Sequence, residues 1–308
     1  MTSRFVFISA WNDSGGGFLH RLFDGHPETR CYPYEVQLGT GLFPDRLADW
    51  FHPKYRWPVL SAGMSADEIF DAIINDELWD AVRHSPSSKF RDFPLKLDVD
   101  GWRRSFAGRL VTPLSVGEIV WAYLDTFFEA WADRQDQSSQ QIILGHCPVM
   151  VLDWDRIARD APTSRMIHVV RSPFTGFVDM RRRHPALDPE SYGRKWALVN
   201  SLAFAAAAKD PDRFRLVTLD RLIEDRAQTL RQLCDWVGIG YRDSLLYPSW
   251  NGRQLAEQGP FGGVPKIGRD HEAANLAALQ PPTLGILAVT TAGARGLFDI
   301  AAPERDPN

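Results

Sequence analysis

The first apolar run in the chain, Phe5–Ile8, has no polar interruption and is short enough for a strand buried on both faces. Trp11, Asn12, Asp13 and a Ser14-Gly15-Gly16-Gly17 turn follow it. Beyond the turn the period changes: Phe18, Leu19, Leu22 and Phe23 recur at helical spacing. Further strand-like runs lie at Gln141–Leu144, Met166–Val170 and Phe214–Leu219. Between or after them come helical patterns at Val151–Arg159, Gly176–Arg183, Glu190–Ala208 and Leu222–Val237. Strands alternating with helices predict an α/β fold of three layers, α/β/α, with a mostly parallel central sheet and a P-loop-like first turn. Asp220 suits the turn after the last strand, or a helix N-cap.

The region from about 39 to 135 breaks this rhythm. Gly39–Ser65 is rich in proline, glycine and aromatics, including Phe43, Trp50, Phe51, Tyr55 and Trp57, and reads as an irregular excursion. It suits either one wall of an acceptor pocket or simple packing. Amphipathic helices are expected over 66–83 and 117–133. In KLDVD, Asp98 and Asp100 alternate as on the solvated face of a strand. The expected organisation is one domain over 1–308 with an irregular and helical insertion at about 39–135.

Composition narrows the partners. The net charge of −4 argues against a general nucleic-acid binder, and 44% hydrophobic with 24% charged residues is ordinary for a globular protein. Cys31, Cys147 and Cys234 are far apart and form no CxxC pair, which predicts neither a disulfide framework nor a metal site and suits a reducing, cytoplasmic setting. No run approaches the ~18 apolar residues that span a bilayer.

The chemistry gathers where strands end, the rim on which α/β folds bind ligands. The Ser14–Gly17 turn offers backbone N–H groups and a hydroxyl at a helix start, where phosphate or sulfate is favoured. His146 and Arg171 each follow an apolar run. An arginine there can grip a phosphate through two parallel hydrogen bonds. A histidine titrating near ~6.5 suits proton transfer at neutral pH. Glu35 is a second candidate base, effective if burial raises its pKa. The GxxxxGK[ST], GxGxxG and GxSxG patterns of nucleotide triphosphatases, dehydrogenases and serine hydrolases are missing from the turn.

Three segments together resemble the PAPS-dependent sulfotransferases. The first is NDSGGG at 12–17, with His26 and Pro27 after the helix, beside that family's P-R-S-G-T-T and H-P. The second, RMIHVVRSP at 165–173, is similar to a strand ending in V-R-D-P, whose arginine holds the donor's 3′-phosphate. The third, ILGHCPVMVL at 143–152, is similar to K-T-H-x-P, whose histidine is the base. The family rhythm continues through Trp196, LVTLDRLIEDRAQTLRQLCDWVGI and FGGVPKIGR.

The resemblance implies sulfonyl transfer from 3′-phosphoadenosine 5′-phosphosulfate (PAPS) to a hydroxyl or amine, leaving PAP, with no metal. The implied acceptor is a small molecule, a glycan or a lipid headgroup. Donor contacts carry over to Ser14, Gly15, Gly16, Gly17 and Arg171, and the base to Glu35 or His146, unranked. The chain departs from the pattern in two places: Asp13 replaces a basic residue, and Asp179 replaces the serine that serves the 3′-phosphate. Leu144 also stands where cytosolic members have lysine. Arg21, Arg181, Arg182, Arg183, Lys266 and Arg269 are candidate replacement cations, and Thr175 a candidate hydroxyl. The two aspartates favour the alternative reading, a binding module of this fold or a transferase using another phosphorylated donor.

Overall fold

The structure, a computed structural model, describes residues 4–42, 45–74, 95–111, 114–135, 142–255 and 267–303. Strand β1 (Arg4–Ala10) is the middle of a five-stranded sheet that also contains β2 (Thr29–Glu35), β3 (Ile142–His146), β4 (Arg165–Val170) and β5 (Phe214–Thr218). The order is β2-β3-β1-β4-β5, and every pairing is parallel. Successive side chains of a strand point to opposite faces, so β1 feeds two cores. Phe5 and Phe7 join one with Tyr32, Trp57 and Trp196; Val6, Ile8 and Ala10 join the other with Leu19 and Leu22. Each of these Val, Leu, Ile and Phe side chains contributes roughly 1.5–3 kcal/mol by leaving water.

Strand β2 has no counterpart in the sequence pattern. Its sequence, TRCYPYE, carries Pro33, which reads as a strand breaker. The strand lies at the sheet edge, where a missing N–H costs no ladder bond, and its register shifts between Cys31 and Glu35.

Helix α1 (Gly16–Phe23) follows the glycine turn. In the 39–135 region come α2 (Ala66–Ile73), α3 (Val99–Arg109) and α4 (Val116–Ala130). Ser65 with Glu68 and Ser115 with Glu118 form reciprocal capping boxes that start α2 and α4. The helix expected over 66–83 stops at Ile73, where Ile74 turns to extended geometry; residues from 75 onward lie outside the described residues, as do Phe43 and Gln141. Asp98 and Asp100 correct the strand expectation. Asp98 caps α3, its Oδ1 accepting from Gly101 N at 2.8 Å, and Asp100 sits in the first turn, where the helix dipole favours a carboxylate.

The excursion before α2 is anchored by charge. Arg56 is buried and donates to both oxygens of Asp153, at 2.8 and 2.9 Å, and to Asp45 at 2.8 and 3.1 Å. Asp153 also accepts from Trp57 N at 2.7 Å. Trp57 packs edge-on to Phe7 and Phe51 edge-on to Trp11, so these two aromatics are core, whereas Trp50 is 49% exposed.

Helix α5 (Trp154–Asp160) follows a 3-10 turn, and α6 (Pro173–Arg183) and α7 (Pro189–Lys209) follow β4. The helix expected over Leu222–Val237 is two: α8 (Leu219–Glu224) and α9 (Arg226–Val237), broken where Asp225 leaves helical geometry. Thr218, not Asp220, caps α8, accepting from Arg221 N at 3.3 Å. Asp220 falls inside the first turn. The chain ends in α10 (Arg269–Ala277), α11 (Pro281–Thr290) and α12 (Ala292–Gly296); α10 packs on α6, and α11 and α12 pack on α7. No described helix is long and apolar enough to cross a membrane. All three cysteines are free and buried.

Candidate functional site

The turn between β1 and α1 is built for close approach. Gly15 caps α1 in the left-handed region (φ 93°), and no side chain caps the helix. The first intrahelical bond runs from Leu19 N to Gly15 O at 3.0 Å, so the N–H groups of Gly16, Gly17 and Phe18 stand at the helix start without intrahelical partners. Ser14 Oγ is buried and has no hydrogen-bond partner among the described residues. A buried hydroxyl beside a row of open donors matches the needs of an anionic ligand.

His146 closes over this turn. A Cβ on Gly16 would come within 2.6 Å of His146 Nε2 and 2.9 Å of Ala10 Cβ; one on Gly15 would meet Leu219 at 2.7 Å. Packing alone therefore disfavours a side chain at either glycine. His20 of α1 lies behind, its ring centroid 6.1 Å from that of His146. Burial, then the charges of Arg21 and His146, hold the His20 pKa well below the ordinary histidine value. Glu35 and His146 are register partners at the ends of β2 and β3. Glu35 accepts from Gln37 Nε2 at 3.3 Å, and its charge acts on both Arg21 and Arg183.

Asp13, in the left-handed region (φ 60°), is paired with Arg183, so the anion in the turn carries its own counter-charge. That bond, more than any other influence, raises the Arg183 pKa. The Asp13 carbonyl accepts from Arg171 Nη1 at 2.7 Å and ties the turn to the end of β4.

Arg171 is 4% exposed, and its own carbonyl accepts from Trp196 Nε1 at 3.0 Å. Its guanidinium faces acids. Nε donates to Glu272 Oε2 at 3.1 Å, and Nη2 contacts both Glu272 Oε1 and, at 2.7 Å, Asp179 Oδ2. Burial opposes its charge, but Glu272 and then Asp179 outweigh burial and hold its pKa above the ordinary arginine value. Thr175 Oγ1 also turns to Glu272, donating to Oε2 at 2.6 Å. Asp179 has His271 at 2.9 Å and Arg182 at 2.6 Å; burial pushes its pKa up, but His271 and Arg171 bring it below the usual carboxylate range.

Asp179, His271 and Glu272 bring ligand-type atoms within 4.8 Å of one another, a grouping that no spacing in the sequence indicates. Both carboxylates already carry guanidinium partners, so a metal ion there would have to compete with Arg171 and Arg182.

The described site thus brings together Ser14, Gly15, Gly16, Gly17 and His146 around the turn, Glu35 at the neighbouring strand end, and Arg171 with Thr175 beside it. Arg269 pairs with Glu224 at 3.3 Å and is exposed. Lys266 lies outside the described residues. Glu272, His271 and Asn275 are additions from the structure. They reach α6 across about a hundred residues of sequence, and no local pattern in RDHEAANLA marks them as partners of an arginine.

A model of the sulfotransferase family matches residues 6–243. Among solved structures, the fold is similar to the sulfotransferase domain of the olefin synthase of Synechococcus PCC 7002, with a TM-score of 0.58, 17% identity, and 97% of this chain and 96% of that one covered. It is likewise similar to the sulfotransferase domain of the curacin biosynthetic pathway, with a TM-score of 0.61, 17% identity, and 97% and 98% covered. At that identity the structural likeness speaks for the fold alone. No curated protein sequence matches the chain.

Proposed function

The chain belongs to the sulfotransferase family, and from that premise we propose that it transfers a sulfonyl group from PAPS to a hydroxyl or amine of a small-molecule, glycan or lipid-headgroup acceptor. The observation that carries the proposal is Ser14: a buried hydroxyl without a partner among the described residues, at the mouth of the open N–H groups of α1. A phosphosulfate would accept from Ser14 Oγ and the N–H groups of Gly16, Gly17 and Phe18.

The acceptor oxygen or nitrogen attacks sulfur in line with the bridging oxygen. The S–O bond to the phosphate breaks, and its electron pair leaves with PAP. The acceptor proton passes to Glu35 or His146, neighbours at the ends of β2 and β3. Negative charge accumulates on the bridging oxygen as the bond breaks, where the α1 N–H groups stabilise it. Arg171 is the candidate partner for the 3′-phosphate, with Thr175 beside it.

Titration calorimetry with PAP and PAPS tests the donor. We expect micromolar binding to the wild type, weakened about tenfold or more in Ser14→Ala by loss of a hydrogen bond to a charged group. Absence of binding by either nucleotide would overturn the proposal. A second reading, another phosphorylated donor, is favoured by one observation: Arg171 already holds two carboxylates.

A further inference from the structure

Glu272 occupies Arg171 in the way an anionic ligand would. Its carboxylate takes the Nε–Nη2 edge of the guanidinium through both oxygens, and Oε2 accepts in addition from the Thr175 hydroxyl at 2.6 Å. A paired guanidinium edge plus a hydroxyl is the donor set that a phosphate monoester would use. Asp179 Oδ2 forms an ion pair with Nη2 at 2.7 Å, and the Asp13 carbonyl accepts from Nη1. Three of the guanidinium's five N–H groups therefore donate within the chain, and a second carboxylate stands against Nη2.

Nor is the contact a chance meeting of long surface side chains. Arg171 and Glu272 are both largely buried. Glu272 is also held by its neighbours on α10. His271 pairs with Asp179 at 2.9 Å, and the Asn275 amide contacts the Thr175 carbonyl at 3.4 Å, so three residues along one face of α10 clasp α6. Asp220, with burial and the charges of Glu272 and Glu224 raising its pKa, adds to the negative field on that side.

We infer that Glu272 is a built-in competitor of the donor's 3′-phosphate at Arg171, and so determines how far the protein distinguishes nucleotides that carry that phosphate from those that lack it. The inference rests on the proposed nucleotide site. A dianionic phosphate arriving at Arg171 must displace Glu272 or sit against it, and like charges in contact repel strongly. The 5′ end of the donor, at the turn before α1, meets no such competitor, since Asp13 is paired with Arg183. Most of the donor's affinity accordingly comes from its 5′ end.

The test compares PAP with adenosine 5′-monophosphate, which differ only in the 3′-phosphate, by calorimetry on the full chain. Glu272→Gln keeps the shape and the capacity to accept from Thr175 while removing the charge; its melting curve is recorded to establish that it folds. In the wild type the two nucleotides should bind within about tenfold of each other. In Glu272→Gln the preference for PAP should rise at least about tenfold, with adenosine 5′-monophosphate binding little changed. A wild type that already prefers PAP by about a hundredfold, with the ratio unmoved in the variant, would refute the competitor role and leave the sulfotransferase proposal standing. If neither nucleotide binds either protein, the nucleotide site itself is wrong and the inference falls with it. Should Glu272→Gln fail to fold, the wild-type ratio alone decides.

Discussion

Gly16 shows how much of the site depends on one missing atom. A Cβ there would sit 2.6 Å from His146 Nε2 and would drive the imidazole away from the turn it covers. We expect Gly16→Ala to lower the rate of labelled sulfonyl transfer from PAPS by about a hundredfold, the scale on which general-base contributions and ångström misplacements act. If transfer proceeds at the wild-type rate, His146 does not act from this position. At this scale the sequence reads well where the geometry is local: the apolar run, Ser14 and the glycines announce a strand, a tight turn and a helix start. It reads poorly where a partner comes from far away. Asp13 and Asp179 look like charges of the wrong sign until Arg183, Arg182 and His271 are placed beside them. The arginines could be counted along the chain, but their pairing could not. Glu272 lay beyond any local pattern altogether.

At the level of elements, hydrophobic period carried most of the fold. β1, β4 and β5 are interior or apolar strands whose runs are unmistakable, and α6, α7 and α4 begin and end close to where their periodicity does. The pattern failed where a local signal conflicted with the tertiary role. Pro33 concealed β2, which tolerates it only because it lies on the edge. The two aspartates of KLDVD alternate like a strand, but Asp98 starts a helix. The excursion between β2 and α2 offered aromatics that fitted a pocket or a core; its attachment through Arg56 and Asp153 had no signature. That attachment makes a prediction of its own. Asp153→Ala strips a buried guanidinium of its two-point partner and removes the acceptor for Trp57 N. We expect a loss of about 3–5 kcal/mol in urea unfolding, the scale for breaking a buried pair. A loss below about 1 kcal/mol would place the anchor elsewhere.

For the whole molecule, buried histidines couple folding to pH. His168, in the middle of β4, is fully buried, and burial lowers its pKa to about 4 although Asn200 Oδ1 hydrogen-bonds to it. Burial likewise lowers His26, which contacts Gly240 O at 2.7 Å, and His20. In the unfolded chain these rings take up a proton near ~6.5, whereas in the fold they resist it. Their contribution is therefore complete above that pH and is lost as pH falls toward about 4 for His168, at up to ~1.4 kcal/mol per pH unit for each ring. Urea midpoints should fall between pH 7 and pH 5, and less steeply in His168→Leu. Midpoints independent of pH over that interval would mean that the rings titrate alike in both states.

The contact between α10 and α6 has a consequence for how such a protein diversifies. The family match ends at residue 243, yet the acid that engages Arg171 stands at 272. The glycine turn and the candidate bases lie within the matched segment, while Glu272 lies beyond its end. On the role inferred for Glu272, nucleotide preference could change independently of the turn. Exchanging one late helix between relatives would retune which donor is kept, with the sheet and its glycine turn left intact.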